Sequence, residues 1–362
     1  MSTQAPFRIL IMAGGTGGHV FPALAVAQHL REQNINVSWL GSHRGMESRL
    51  VPDAGFAMEY ITVSGLRGKG VMSWLLAPFK LTLALAQAIQ ICRRLRPHAV
   101  LGMGGFVTGP GGLAARMSGH TLLIHEQNAI AGLTNRLLSH IANKVMAAFP
   151  GTFQCAYEIT GNPVRQSITQ LSEPALRFNE RKGKLRLLVV GGSLGAQALN
   201  ETVPQALKLM ETQQRPEVWH QTGANKQQQT ENNYRAAGVD ARIVEFIDDM
   251  AEAYAWADLV ICRAGALTVS ELAAAGLGAI LVPYPYAVDD HQTANANYLV
   301  TAGSAKLLQQ SSMTAETLHG LLKELLAKGR DGLKTMAEAA RKAAVPDSAE
   351  MVAKFCTEAM HG

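Results

Sequence analysis

Cysteine is scarce in the 362 residues: Cys92, Cys155, Cys262 and Cys356 stand apart, with no C-x-x-C pair. That spacing argues against a disulfide framework or a zinc knuckle, and reduced, buried thiols are expected. Aromatics are only 6% of residues, and no dense Lys/Arg run is interleaved with them. Nucleic acid is therefore not an expected partner. Long uninterrupted apolar runs are also missing. The longest, Val71 to Leu85, is broken by Pro78 and Lys80, and a transmembrane helix needs about 20 apolar residues. No secretory leader is expected, because the N-terminus enters an apolar strand pattern almost at once.

What is present is unevenly charged. Residues 1–163 carry 13 Lys+Arg against 6 Asp+Glu, a balance of +7, and residues 164–362 carry 20 against 22, a balance of −2. A basic first half suits an anionic surface or substrate, with anionic lipid or phosphate favoured. The first half opens on Arg8-Ile9-Leu10-Ile11-Met12-Ala13, then Gly14-Gly15-Thr16-Gly17-Gly18-His19, then apolar residues at helical spacing. This reads as buried strand, tight loop, helix. Glycines allow close backbone approach, and the N–H groups that open a helix lack internal partners, so the loop is a candidate anion site. The second half repeats the design in strand Leu185 to Val190 and loop Gly191-Gly192-Ser193-Leu194-Gly195-Ala196. Neither loop completes a dinucleotide fingerprint. Val20 stands at the third glycine position, and no acidic residue follows the strand Val37 to Leu40. A nicotinamide dehydrogenase is disfavoured on that ground.

Strand and helix patterns alternate, which predicts parallel sheets covered by helices. Strands are expected near 7–13, 37–41, 57–63, 99–104, 121–126 and 144–149, then near 185–191, 216–221, 241–247, 258–263, 278–283 and 304–309. The fold class is α/β, two Rossmann-like doubly wound domains facing a cleft. Domain one is expected over 1–163 and domain two over 164–344, with a helix near 345–360 packing back on the first. The polar stretch 163–184 is the expected linker. Two readings of residues 71–91 stand. One is a core helix with Pro78 near its start. The other is an apolar patch of Trp74, Leu75 and Phe79, ringed by Arg67, Lys69 and Lys80, that rests on an anionic membrane face.

Further clusters lie at the carboxyl ends of predicted strands: GMGGFVTGPGGLAA at 102–115, HEQNAIAGLTN at 125–135, RAGALTVSELAAAG at 263–276 and DDHQTANA at 289–296. With GGTGGHVFPALAVA at 14–27, SGLRGKG at 64–70, GNPVR at 161–165, GGSLGA at 191–196 and EFIDDM at 245–250, they resemble, in order and over nearly the whole chain, the MurG family. Phe106 departs from the tyrosine expected in many relatives, so no polar role is assigned there.

The resemblance implies a GT-B type glycosyltransferase. It would pass N-acetylglucosamine, with inversion, from UDP-N-acetylglucosamine to the 4-hydroxyl of undecaprenyl-diphospho-N-acetylmuramoyl-pentapeptide (lipid I), giving lipid II for peptidoglycan. The setting would be the cytoplasmic face of the inner membrane, peripherally bound, with cell-wall synthesis proteins as possible partners. The donor would lie on the second half. Arg165 and the backbone of Ile247 would meet uracil, and Glu271 would accept from the ribose hydroxyls. Ser193 and the helix opening at Ala266-Leu267-Thr268, followed by Val269 and Ser270, would hold the diphosphate. Gln292 and Asn128 would read the sugar. The acceptor would lie on the first half, on Thr16, Gly17 and Gly18, with its diphosphate on Gly14, Gly15, Gly104 and Gly105. No Asp-x-Asp occurs, so a metal-bound diphosphate is unsupported. No metal or cofactor is expected, and a helix N-terminus would carry the charge of the departing UDP.

An inverting transfer needs a base for the acceptor hydroxyl. His19 is the first candidate, because a neutral imidazole takes a proton near pH 7. Its alternative role is phosphate contact alone. Glu126 is the second candidate, with the alternative of a buried carboxylate that orients His125 or a backbone loop. His125 and His291 are expected as supporting or sugar contacts. Competing functions are a UDP-N-acetylglucosamine 2-epimerase, another GT-B transferase and a non-catalytic sugar-nucleotide binder.

Overall fold

The computed structural model describes residues 6–63 and 77–361. Trp74, Leu75 and the 64–70 stretch lie outside the described residues. The chain divides into two units, one of Met1–Arg165 with Asp347–Gly362, the other of Gln166–Pro346.

In the first unit, seven strands pair in parallel: β1 (Arg8–Met12), β2 (Asn36–Gly41), β3 (Ala57–Tyr60), β4 (Ala99–Gly102), β5 (Thr121–Glu126), β6 (Lys144–Ala147) and β7 (Glu158–Ile159). Their order is β3-β2-β1-β4-β5-β6-β7. Both faces of β1 are covered. Ile9 and Ile11 pack with Val20, Ala23 and Ala27 of the helix Gly17–Glu32. Leu10 and Met12 point the other way, towards Ala84, Ala88 and Ala115. Period-two side chains with two apolar layers are why a short run such as RILIM is apolar throughout. Each fully buried Leu or Ile contributes about 1.5–3 kcal/mol. The last helix, Ser348–His361, adds Val352, Ala353, Cys356 and Met360 to this unit's core.

The second unit holds β8 (Arg186–Val190), β9 (Glu217–Gln221), β10 (Arg242–Val244), β11 (Leu259–Cys262), β12 (Gly278–Leu281) and β13 (Ala305–Leu307). They pair in parallel in the order β10-β9-β8-β11-β12-β13. In each sheet the order reverses beside the first strand, between β1 and β4 and between β8 and β11. Ligands of open α/β sheets bind at such a reversal, beyond the carboxyl ends of the strands. Both glycine loops leave those ends.

The α/β class and all of the expected strands are present. The sequence reading missed β7, two residues on the sheet edge beside β6, where Lys144 Nζ donates to Glu158 at 2.8 Å. The expected linker is not a free tether. Its helices Gln166–Thr169 and Pro174–Asn179 bury Ile168 and Phe178, and Arg181 pairs with the buried Asp258. One thiol also departs from expectation, since Cys155 is exposed while the other three are buried. Among the described residues no helix is long and apolar enough to cross a membrane.

Candidate functional site

The loop after β1 is built by contacts that only glycine permits. Gly14 N donates to Gly104 O at 3.3 Å. A Cβ on Gly105 would sit 2.3 Å from Gly14 O, and one on Gly104 would sit 2.6 Å from His19 Nδ1. Gly15, Gly104 and Gly105 also hold φ of 91°, 100° and 86°, the left-handed region that side chains avoid. These contacts clamp the loops after β1 and β4 together at the sheet's reversal.

Glu47, which the sequence reading missed, completes the clamp. It is fully buried. Its Oε2 accepts Gly15 N at 2.9 Å, and its Oε1 accepts Ser42 N at 2.9 Å and Ser42 Oγ at 2.8 Å. This corrects part of the diphosphate assignment: the N–H groups of Gly14 and Gly15 are taken by Gly104 and Glu47. Thr16, Gly17 and Gly18, the later part of the expected loop 14–18, remain the candidate anion-facing end. There the helix Gly17–Glu32 opens from extended Thr16 with no capping side chain and no acidic residue in its first turn. Such a terminus favours a negative ligand.

His19, in the first turn of that helix, is half-buried. Its Nδ1 lies 2.8 Å from Gln127 Oε1. Gln127 Nε2 in turn lies 3.1 Å from His125 Nδ1, and His125 Nε2 lies 2.9 Å from Gly161 O. Burial pushes His125 down to about 4, against the opposing pull of the Gly161 carbonyl and Glu126. His220 in the second unit, between Tyr234 Oη and Asn200 Oδ1, is pushed down to about 3 by burial. Both are neutral in the folded chain near pH 7, and the unfolded chain binds more protons below the ordinary 6.5. The stability they support is whole above about pH 6.5 and falls as pH drops from there towards 4. Thermal melts across that window should show a falling Tm.

Glu126, expected either as second candidate base or as a buried carboxylate that orients a loop, has the bonds of the latter. Its Oε1 accepts Asn128 N at 3.0 Å and Asn128 Nδ2 at 3.1 Å, and its Oε2 accepts Gly132 N at 3.2 Å and Asn135 Nδ2 at 2.9 Å. Both oxygens of this buried carboxylate are engaged by the loop it shapes. Glu126→Gln would turn an NH₂ towards two of those donors. It should destabilise the fold by about 1–3 kcal/mol and leave the acidic limb of the pH–rate profile where it was. A moved limb in a stably folded variant would restore Glu126 as base.

In the second unit, the loop after β8 is held by Gln221, also missed from sequence. Gln221 Oε1 accepts Gly192 N at 3.0 Å, and its Nε2 donates to Gly192 O at 3.1 Å and Glu245 O at 2.9 Å. A Cβ on Gly195 would meet Thr222 O at 2.2 Å. Ser193 stays exposed on this loop. Beyond β11, the helix Ala266–Ala275 opens from Gly265 with no capping side chain and no acid in its first turn. Glu271, five residues into that helix, is 5% exposed, and Tyr254 Oη donates to its Oε2 at 3.0 Å. Gln292 Oε1 accepts Tyr284 N at 2.9 Å, so the amide carbonyl anchors the loop after β12. Ile247 is half-buried just past β10.

Two expected ligand residues have contacts within the first unit. Arg165 falls in the first unit, with its guanidinium 5.4 Å from the Phe21 ring centroid. Asn128 has both its backbone N–H and its side-chain Nδ2 on Glu126.

Comparisons with known proteins agree with this layout. The glycosyltransferase family 28 N-terminal domain model matches residues 9–147, and the family's C-terminal domain model matches residues 186–352. A protein of Nitrosococcus oceani is 57% identical over 98% of this chain and 99% of its own. One from Marinobacter nauticus is 56% identical over 98% of each. Both are called UDP-N-acetylglucosamine--N-acetylmuramyl-(pentapeptide) pyrophosphoryl-undecaprenol N-acetylglucosamine transferase. The crystal structure of Acinetobacter baumannii MurG matches 98% of this chain and all of its own, at 44% identity and a TM-score of 0.85.

Proposed function

The chain belongs to the MurG branch of glycosyltransferase family 28, and from that premise we infer that it transfers N-acetylglucosamine from UDP-N-acetylglucosamine to lipid I, forming lipid II. The observation that carries the reading is 57% identity, over nearly the full length of both chains, with an enzyme named for this transfer.

The residues take roles that their geometry supports. Glu271 is a pure acceptor when ionised and suits the vicinal ribose hydroxyls, with Tyr254 fixing its orientation. Ser193 and the opening of the helix Ala266–Ala275, which has no capping side chain, hold the UDP diphosphate. The leaving UDP gains charge as the C1–O bond breaks, and a helix N-terminus aimed at that charge is worth up to about 2 kcal/mol in a partly buried site. Ile247 offers its backbone to the uracil, and Gln292 reads the sugar. On the first unit, Thr16, Gly17 and Gly18 meet the acceptor diphosphate, and His19 takes the proton of the 4-hydroxyl. Arg165, held over Phe21, is left out of the uracil pocket.

The lipid tail of the acceptor calls for a membrane face. Phe79 is 76% exposed near the start of the helix Ala77–Leu95, and Leu83 is exposed one turn on. The helices Thr108–Met117 and Leu133–Leu138, packed in sequence beside it, expose Met117 and Leu133. Lys80, Arg116 and Arg136 are exposed among them. Apolar side chains with interspersed cations suit an anionic bilayer, at about 1 kcal/mol per basic residue near the surface. Phe79→Asp with Leu83→Asp should abolish sedimentation with anionic vesicles while activity on a short-chain acceptor survives. Vesicle binding that persists would assign this face to something else.

The direct test is transfer of labelled N-acetylglucosamine to a lipid-linked muramoyl-pentapeptide. A β-1,4 product is expected. UDP release that needs no acceptor, or no product at all, would overturn the reading.

A further inference from the structure

We propose that Gln127 and His125 are positioning residues that hold His19 as its Nδ1–H tautomer, leaving the Nε2 lone pair to take the acceptor's proton. The proposal rests on the reading of His19 as base and deepens it.

The chain of deductions starts at a backbone carbonyl. Gly161 O can only accept, and His125 Nε2 lies 2.9 Å from it, so that nitrogen carries the hydrogen. A neutral imidazole has one N–H, so His125 Nδ1 is an acceptor. Gln127 Nε2 is 3.1 Å from this atom and donates to it, and also reaches His125 O at 3.3 Å. Turning the amide over would aim its oxygen at two acceptors, so its orientation is fixed. Gln127 Oε1 is therefore the atom 2.8 Å from His19 Nδ1. An amide oxygen only accepts, so His19 Nδ1 carries the hydrogen and Nε2 is bare. Which ring nitrogen is protonated follows from the bond its neighbour makes.

The surroundings protect this sequence of bonds. His125 is 0% exposed and Gln127 1% exposed, so water does not compete for their polar atoms. Asn162 Nδ2 donates to Gln127 O at 3.0 Å and pins the backbone of the middle member. Glycine at 104 leaves room for the imidazole, since a Cβ there would lie 2.6 Å from His19 Nδ1. His125, with its basicity depressed by burial, keeps a single proton near neutral pH.

The test reads the tautomer directly. ¹⁵N-histidine NMR of the full chain above neutral pH, with the His19 signal identified by its loss in His19→Ala, should show hydrogen on Nδ1. Hydrogen on Nε2 overturns the proposal. Gln127→Leu should move His19 towards the Nε2–H form and lower kcat about tenfold, with KM for UDP-N-acetylglucosamine unchanged. A folded Gln127→Leu with unchanged tautomer and rate overturns it as well. Failure of the base reading is separate. If His19→Ala keeps its turnover, His19 is not the base whatever its tautomer. If His19→Ala is inactive but the parent shows Nε2–H, only the present proposal fails.

Discussion

His19→Ala is expected to lower kcat by about a hundredfold or more, within the 10²–10⁴ that general base catalysis typically contributes, while KM for UDP-N-acetylglucosamine stays within about twofold. The two halves of that expectation have different origins. The attacking hydroxyl must lose a proton as the bond to the sugar forms, and His19 is the titratable side chain of the loop after β1. Glu47 is buried on three donors and Glu126 on four. The donor reading places UDP on the loops after β8 and β11, in a unit to which His19 does not belong. The fold should survive, because the imidazole is half-buried and its side-chain hydrogen bond runs to Gln127. Steady-state kinetics and a thermal melt on the same preparation separate these effects. A variant with unaltered turnover would reduce His19 to a phosphate contact. A variant whose donor KM rises in step with the fall in kcat would point to a role in donor binding.

The sequence made the strand–loop–helix units legible because both signals are local. An apolar run such as RILIM buries both faces, and the glycines after it can only mark a turn or a close approach. What each glycine N–H does was not legible. Gly15 is answered by Glu47 and Gly192 by Gln221, 32 and 29 positions away. Only the pairing of β1 with β2 and of β8 with β9 brings those side chains under the loops. The two loops are thereby alike in a way their sequences hide: each has a long-range polar side chain that occupies its early N–H groups from below. On the proposed assignment the ligand is left to the later end, at Thr16 to Gly18 in one unit and around Ser193 in the other. A carboxylate lies under the first loop and a neutral amide under the second.

Charged residues were legible only in part, for the same reason. Glu126 reads either as a base or as a buried carboxylate that orients a loop, and its partners Gly132 and Asn135, beyond that loop, favour the second. The stretch 163–184 reads as solvated because it carries Arg177 and Arg181. Both guanidiniums instead reach inward, Arg177 to the carbonyls of Ala275 and Gly276 and Arg181 to Asp258. Arg177 thus caps the far end of the helix whose opening is assigned to the UDP diphosphate. Cations at a helix C-terminus complement its dipole, so this segment helps to hold the donor helix.

The donor assignment is tested most sharply at the other functional residue of that helix. Glu271→Ala is expected to weaken UDP binding by about 3 kcal/mol, roughly a hundredfold, because two hydrogen bonds to a charged group are lost at about 1.5–3 kcal/mol each and water replaces part of them. A simple loss of affinity would be ambiguous. The substitution also removes the carboxylate to which the buried phenol of Tyr254 donates, and could loosen the helix itself. Removing the partner from the ligand resolves this. If the carboxylate reads the ribose, UDP lacking both ribose hydroxyls should bind the parent chain about as weakly as UDP binds Glu271→Ala. The variant should then no longer distinguish the two ligands. Calorimetry on the four pairings gives the coupling directly. A variant that binds UDP poorly but still prefers it to the dideoxy ligand by the parent's factor would place the ribose elsewhere and leave Glu271 a structural partner of Tyr254.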